Sequence, residues 1–92
     1  MGKDKNIIGT VVKAFAVEDW LADGDLLAWK SIRGAAAGAG VTENEAYRIL
    51  LTMVACGRAE QGDKGNFRLA QGIVKYGLRL NECLSRHVKR FA

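Results

Sequence analysis

SIRGAAAGAGVTENEAYRILLTMVACGRAEQ, running from Ser31 to Gln61, decides the fold of this 92-residue chain. Ser31 offers a hydroxyl to an orphan amide at the start of a short helix. That helix runs to about Ala37 through Gly34, Ala35, Ala36 and Ala37, small residues that let two backbones approach closely. Gly38 and Gly40 are expected to supply the turn that follows. Thr42-x-x-Glu45 is a capping box, in which hydroxyl and carboxylate each satisfy a free amide at a helix start. Winding residues 42–56 as a helix gathers Ala46, Ile49, Leu50, Met53 and Val54 on one arc, the core side. Asn44, Arg48, Thr52 and Ala55 fall opposite, with Glu45 and Leu51 at the edges, and Gly57 follows as a left-handed cap.

Downstream, Arg58-Ala59-Glu60-Gln61 and Asn66-Phe67-Arg68-Leu69-Ala70 flank Gly62-Asp63-Lys64-Gly65, the pattern of a hairpin with Phe67 and Leu69 inward and Arg68 outward. From Gln71 a last helix carries Ile73, Gly77, Leu80, Leu84, Val88 and Phe91 close to a 3.5-residue repeat. Such a stripe either folds back to complete one core or pairs two copies, and its length favours pairing. Upstream, Ile7, Ile8, Val11, Val12, Phe15 and Ala16 recur at helical spacing and predict a first helix, core side on that arc, ending before Asp23-Gly24-Asp25. Residues 26–30 are expected to be an extended connection. The sum is mostly α with a small β-hairpin wing: a winged helix-turn-helix with a three-helix core, a two-stranded wing and a C-terminal helix. Residues 1–6 form a flexible tail, 7–70 the domain and 71–92 the last helix, a candidate dimerisation element.

A chain of this length supports one domain. Net charge is +4, from 14 basic and 10 acidic residues, compatible with a polyanionic partner. The sign is unevenly placed: Arg68, Lys75, Arg79, Arg86, Lys89 and Arg90 face only Glu82 in the last third. Two cysteines, Cys56 and Cys83, suit a reducing cytoplasm better than a disulfide scaffold. No signal peptide is visible, and the longest uncharged apolar run, residues 49–56, falls far short of the roughly 20 residues of a membrane span.

Enzyme chemistry is not expected. The single histidine, His87, has no Ser-His-acid or Cys-His arrangement around it. Cys83 with His87 makes two ligands where a closed zinc site needs four, so no metal or other cofactor is expected. Glu18, Asp19, Asp23 and Asp25 lack the order of a calcium loop and read as a solvated face. Trp20 and Trp29 read as residues that seal a small core rather than base-stacking platforms.

The ordered set Gly40, Tyr47-Arg48-Ile49-Leu50, Gly57, Phe67-Arg68-Leu69 and the helix from Gln71 resembles the DNA-binding domain of the IclR family of bacterial transcription factors. With the first helix, the likeness covers about three quarters of the chain. It implies a winged-helix fold, dimers, and the helix bearing Asn44 and Arg48 docked in the major groove of double-stranded DNA. Family members continue into a large effector-binding domain; this chain stops after the last helix, as a stand-alone short regulator or as a fragment. The recognition helix starts here with Glu43-Asn44-Glu45, where small polar or basic residues are usual in the family.

On this reading Asn44 and Arg48, four residues apart, form the pair that reads bases, Asn suited to adenine and Arg to guanine. Tyr47 and Thr52 bond phosphates and set register. Lys64 at the wing tip, with Asn66 and Arg68, grips the flanking backbone, and Ser31, Thr42 and Glu45 complete the interface. Lys3 and Lys5 form a trailing arm. Ile73, Leu80, Leu84 and Val88 hold a homodimer. A second reading keeps the fold and assigns it to a protein partner, a basic one suiting Glu43 and Glu45. No membrane contact is expected, and RNA binding lacks the aromatic platform such modules use.

Overall fold

A computed structural model describes the backbone of residues 6–91, with side chains through residue 86 except Val74. The expected tail lies outside the described residues except for Asn6, and so do Lys3 and Lys5. Four helices and one hairpin follow each other: α1 (Gly9–Ala22), α2 (Ile32–Ala39), α3 (Glu43–Ala55), β1 (Ala59–Gln61), β2 (Phe67–Leu69) and α4 (Gln71–Phe91), with a single 3-10 turn, Asp63–Gly65, at the hairpin tip.

The helix-turn-helix is closed by local chemistry. Ser31 caps α2, its Oγ accepting the Gly34 N–H at 3.0 Å. Gly40 ends that helix at φ 71°, and the Val41 N–H returns to the Ala36 carbonyl at 3.0 Å. Thr42 opens α3 with both halves of the capping box formed: the Glu45 N–H donates to Thr42 Oγ1 and the Thr42 N–H to Glu45 Oε1, each at 3.1 Å. Gly38, expected in the turn, instead lies inside α2. The reason is packing, since the Trp20 indole of α1 lies against the face made by Gly34 and Gly38, where a Cβ at Gly38 would overlap the ring.

Val17 and Leu21 of α1, Ala35 and Ala36 of α2, Ala46, Leu50 and Met53 of α3, and Ala59 and Phe67 of the hairpin form one core. The arc expected to face it on α1 does not. Ile7, Ile8, Val11, Val12 and Phe15 are exposed, because α1 docks through the opposite side, where Val17 and Leu21 sit with Trp20 beside them. α1 is apolar on both sides, and periodicity finds such a helix without saying which side the core takes.

The hairpin pairs Ala59 with Leu69, Glu60 with Arg68 and Gln61 with Phe67. β2 has a second neighbour, Lys30, whose N–H and carbonyl both bond Phe67 at 2.8 Å. The segment before Lys30 is a turn, so the extended connection is confined to the residues flanking this bridge. α4 leaves the body at Ala70 and spans about 31 Å at 1.5 Å per residue. The radius of gyration, 15.5 Å, exceeds the roughly 12 Å of a compact chain this long, as a projecting helix requires. Tyr76, Leu80 and Leu84 are exposed, so the stripe does not complete its own subunit's core.

The contact between α1 and α2 can be checked by one methyl group. Gly→Ala inside a helix ordinarily stabilises by up to about 1 kcal/mol. Gly38→Ala is expected to do the reverse, costing about 1–3 kcal/mol in urea denaturation, because the new Cβ displaces Trp20.

Candidate nucleic-acid interface

The capping box at Thr42 starts α3 and so decides which side chains of that helix face outward. Asn44, Tyr47 and Arg48 are exposed on it, and among the described residues their side chains make no hydrogen bond or ion pair. Thr52, one turn further on, is exposed but turned inward chemically: its Oγ1 donates to the Arg48 carbonyl at 2.8 Å. Arg48 and Thr52 border an open groove of about 470 Å³ between α1 and α3, floored by Ala14, Ile49 and Met53.

Two carboxylates flank Asn44 at the start of this row, and each has a cationic neighbour within the domain. Glu45 accepts a hydrogen bond from Lys13 of α1 on Oε2 and from the Thr42 N–H on Oε1. Glu43 lies 4.0 Å from the Arg33 guanidinium of α2. Lys13 and Arg33 were not legible as site residues. Lys13 is the single cation of α1, on the side that meets α3, and that was the available signal. Arg33 gave none, its partner being fixed only by the turn between α2 and α3.

The wing divides its polar residues the same way. Lys64 is exposed at the tip with φ 63°, a left-handed conformation that glycine adopts freely and lysine does not. Asn66, half-buried beside it, accepts the Gly62 N–H on its carbonyl at 2.8 Å. Arg68, read from the sequence as outward and free, is neither. Its Nε donates to Glu60 at 2.9 Å and its NH1 to the Leu27 carbonyl at 3.2 Å, while the guanidinium sits 4.1 Å from the centre of the Trp29 ring. Trp29 in turn covers Gly62, so the outer face of the hairpin is occupied by the α1–α2 connection.

Of the ten residues expected to touch DNA, four have exposed side chains with no hydrogen bond or ion pair among the described residues: Asn44, Tyr47 and Arg48 on α3, and Lys64 on the wing. Ser31, Thr42, Glu45, Thr52 and Arg68 are bonded within the domain, shaping the surface. Of the stripe on α4, Ile73 is half-buried, Leu80 and Leu84 are exposed, and the side chain of Val88 lies outside the described residues.

Neither a family model nor a curated protein sequence matches the chain. Solved structures do. An IclR family transcriptional regulator from Brucella abortus superimposes with a TM-score of 0.73 at 18% identity, over 85% of this chain and 29% of that one. The fold is the IclR-type winged helix. HmgR of Pseudomonas aeruginosa gives 0.68 at 20% identity, over 78% of this chain and 29% of its own. An O-methyltransferase from neocarzinostatin biosynthesis, NcsB1, shares it at 0.53 and 24% identity, over 66% of this chain and 19% of the enzyme. The chain therefore spans under a third of the length of these structures. No helix among the described residues is long and apolar enough to cross a membrane.

The Glu45 contacts carry a pH signature. The hydrogen bond from Lys13, then that from the Thr42 backbone, holds its carboxyl below the usual value of 4.5. A carboxyl lowered on folding stabilises fully above that usual value and loses its contribution as pH falls through the lowered one. Glu45→Gln is therefore expected to flatten the decline in folding stability between roughly pH 5 and pH 3, measured by urea denaturation, while Asn44→Ala leaves the decline unchanged.

Proposed function

We propose that this domain binds double-stranded DNA as a small transcriptional regulator, with α3 in the major groove and the wing on the flanking backbone. The observation that carries the reading is the open row Asn44, Tyr47 and Arg48, next to carboxylates already engaged by Lys13 and Arg33. Asn44 and Arg48 read base edges, Tyr47 bonds phosphate, and Lys64 with Asn66 holds the backbone beside the groove. Of the glutamates at the start of α3, the chief electrostatic objection to such docking, Glu45 is held by Lys13 and the Thr42 N–H and Glu43 lies 4.0 Å from exposed Arg33, while Arg48 and Lys64 carry no ion pair among the described residues.

Two copies, joined through the α4 stripe of Ile73, Leu80, Leu84 and Val88, would carry two such helices about 34 Å apart and read a near-palindrome. The competing use of the same fold is protein docking, since its occurrence in both regulators and an O-methyltransferase means that fold alone does not decide function. Salt discriminates the two, because phosphate contacts release counterions and lose affinity steeply as salt rises.

The test is duplex binding by anisotropy across a salt series. Arg48→Ala is expected to weaken binding and relax preference at one base pair, a loss of about 1–3 kcal/mol. Lys64→Gly should separate stability from binding: relief of the left-handed lysine raises folding stability by up to about 1 kcal/mol, while the salt slope falls by about 1. Absence of retention on random duplex at low salt, or an unchanged sequence preference in Arg48→Ala, overturns the reading.

A further inference from the structure

The groove between α1 and α3 has the composition of a ligand site. Its floor is apolar, made by half-buried Ala14 and Ile49 and buried Met53, with exposed Phe15 along the α1 side. Its volume, about 470 Å³, falls in the range of small-molecule pockets, which pair apolar walls with a few polar groups. Five charged side chains line it, and four of them are paired: Lys13 with Glu45 at one end, Arg58 with Glu18 at the other. The fifth, Arg48, has no hydrogen bond or ion pair from its guanidinium among the described residues. One free cation therefore stands over an apolar floor. We propose that the groove binds an unbranched aliphatic monocarboxylate, chain along Ala14, Ile49 and Met53 and carboxylate on Arg48, and that the occupied groove releases DNA. The release rests on the reading of α3 as the helix that meets DNA; the ligand site does not.

Charge and shape both select this occupant. A guanidinium fork matches the two oxygens of a carboxylate. A cationic head meets Arg48 with like charge, and a second anionic group on the chain meets Glu18 or Glu45. A free phosphate carries the charge but leaves the floor bare. Along α3 the lining residues advance from Glu45 to Cys56 by about 16 Å at 1.5 Å per residue, a trough suited to an extended chain of about eight carbons. Arg48 cannot hold a carboxylate and a base edge together, so ligand and duplex exclude each other, and each weakens the other by the same factor.

Native Cys56, exposed and lining the groove at its Arg58 end, reports occupancy in the full chain. In a Cys83→Ser background, octanoate below its micelle concentration is expected to slow alkylation of Cys56 by neutral iodoacetamide severalfold. Butanoate should need at least about tenfold more for the same protection, since each fully buried methylene is worth roughly fourfold in affinity. Arg48→Gln, at an exposed position, removes the protection, and Ala14→Phe, which fills the floor, removes it with an unchanged circular dichroism spectrum. Should Ala14→Phe fail to fold, Arg48→Gln and the chain-length series decide. Saturating octanoate should weaken duplex binding at least about fivefold in anisotropy. Equal protection by octanol or octylamine overturns the proposal, as does protection that survives in folded Ala14→Phe. Protection with unchanged duplex affinity overturns the release. Intact duplex binding without protection overturns the ligand site and leaves the DNA reading standing, whereas protection in a chain that binds no duplex removes that reading and keeps the site.

Discussion

Phe67 holds the two halves of this domain in register. Its ring is fully buried among residues of α1, α2 and α3, and burial of a side chain this size is worth about 1.5–3 kcal/mol. Its backbone meets Gln61 across the hairpin and Lys30 on the other edge. The wing is therefore one piece with the segment that leads into α2, and the position of Lys64 relative to α3 is fixed through a shared core.

The same economy governs charge. Glu45 serves at once as the return half of a helix cap and as the acceptor for Lys13 of α1. Glu18 of α1 accepts from Arg58 at 2.8 Å and holds the proton of that guanidinium more tightly. Together these pairs pin both ends of the α1–α3 groove. Arg48 on the outer side of α3 and Lys64 at the wing tip carry no ion pair among the described residues, and the same holds for Asp63 beside Lys64 and for Asp19 and Asp23 of the α1 side.

Much of this was legible in the sequence because it is local chemistry. Thr42-x-x-Glu45, Gly40, Gly57 and the glycines of the hairpin each state a backbone conformation within four residues of themselves, and each is found where it was expected. The failures are tertiary. The buried side of α1 was misassigned because the helix is apolar on two opposite sides. Gly38 was assigned to a turn, when what it accommodates is an indole from another helix. Arg68 was read as free from its alternation in β2, which cannot reveal that Trp29 and the Leu27 carbonyl lie over that face. For the interface, α3 supplied its outward residues from periodicity alone, whereas Lys13 and Arg33 became visible only once three helices were assembled.

The projection of α4 has a mechanical consequence. A helix about 31 Å long, rooted at Ala70, is a lever, and a rotation of about 10° at its root carries the far end about 5 Å. α4 is thus the element through which a small rotation at Ala70 becomes a large displacement, with no change inside the folded body.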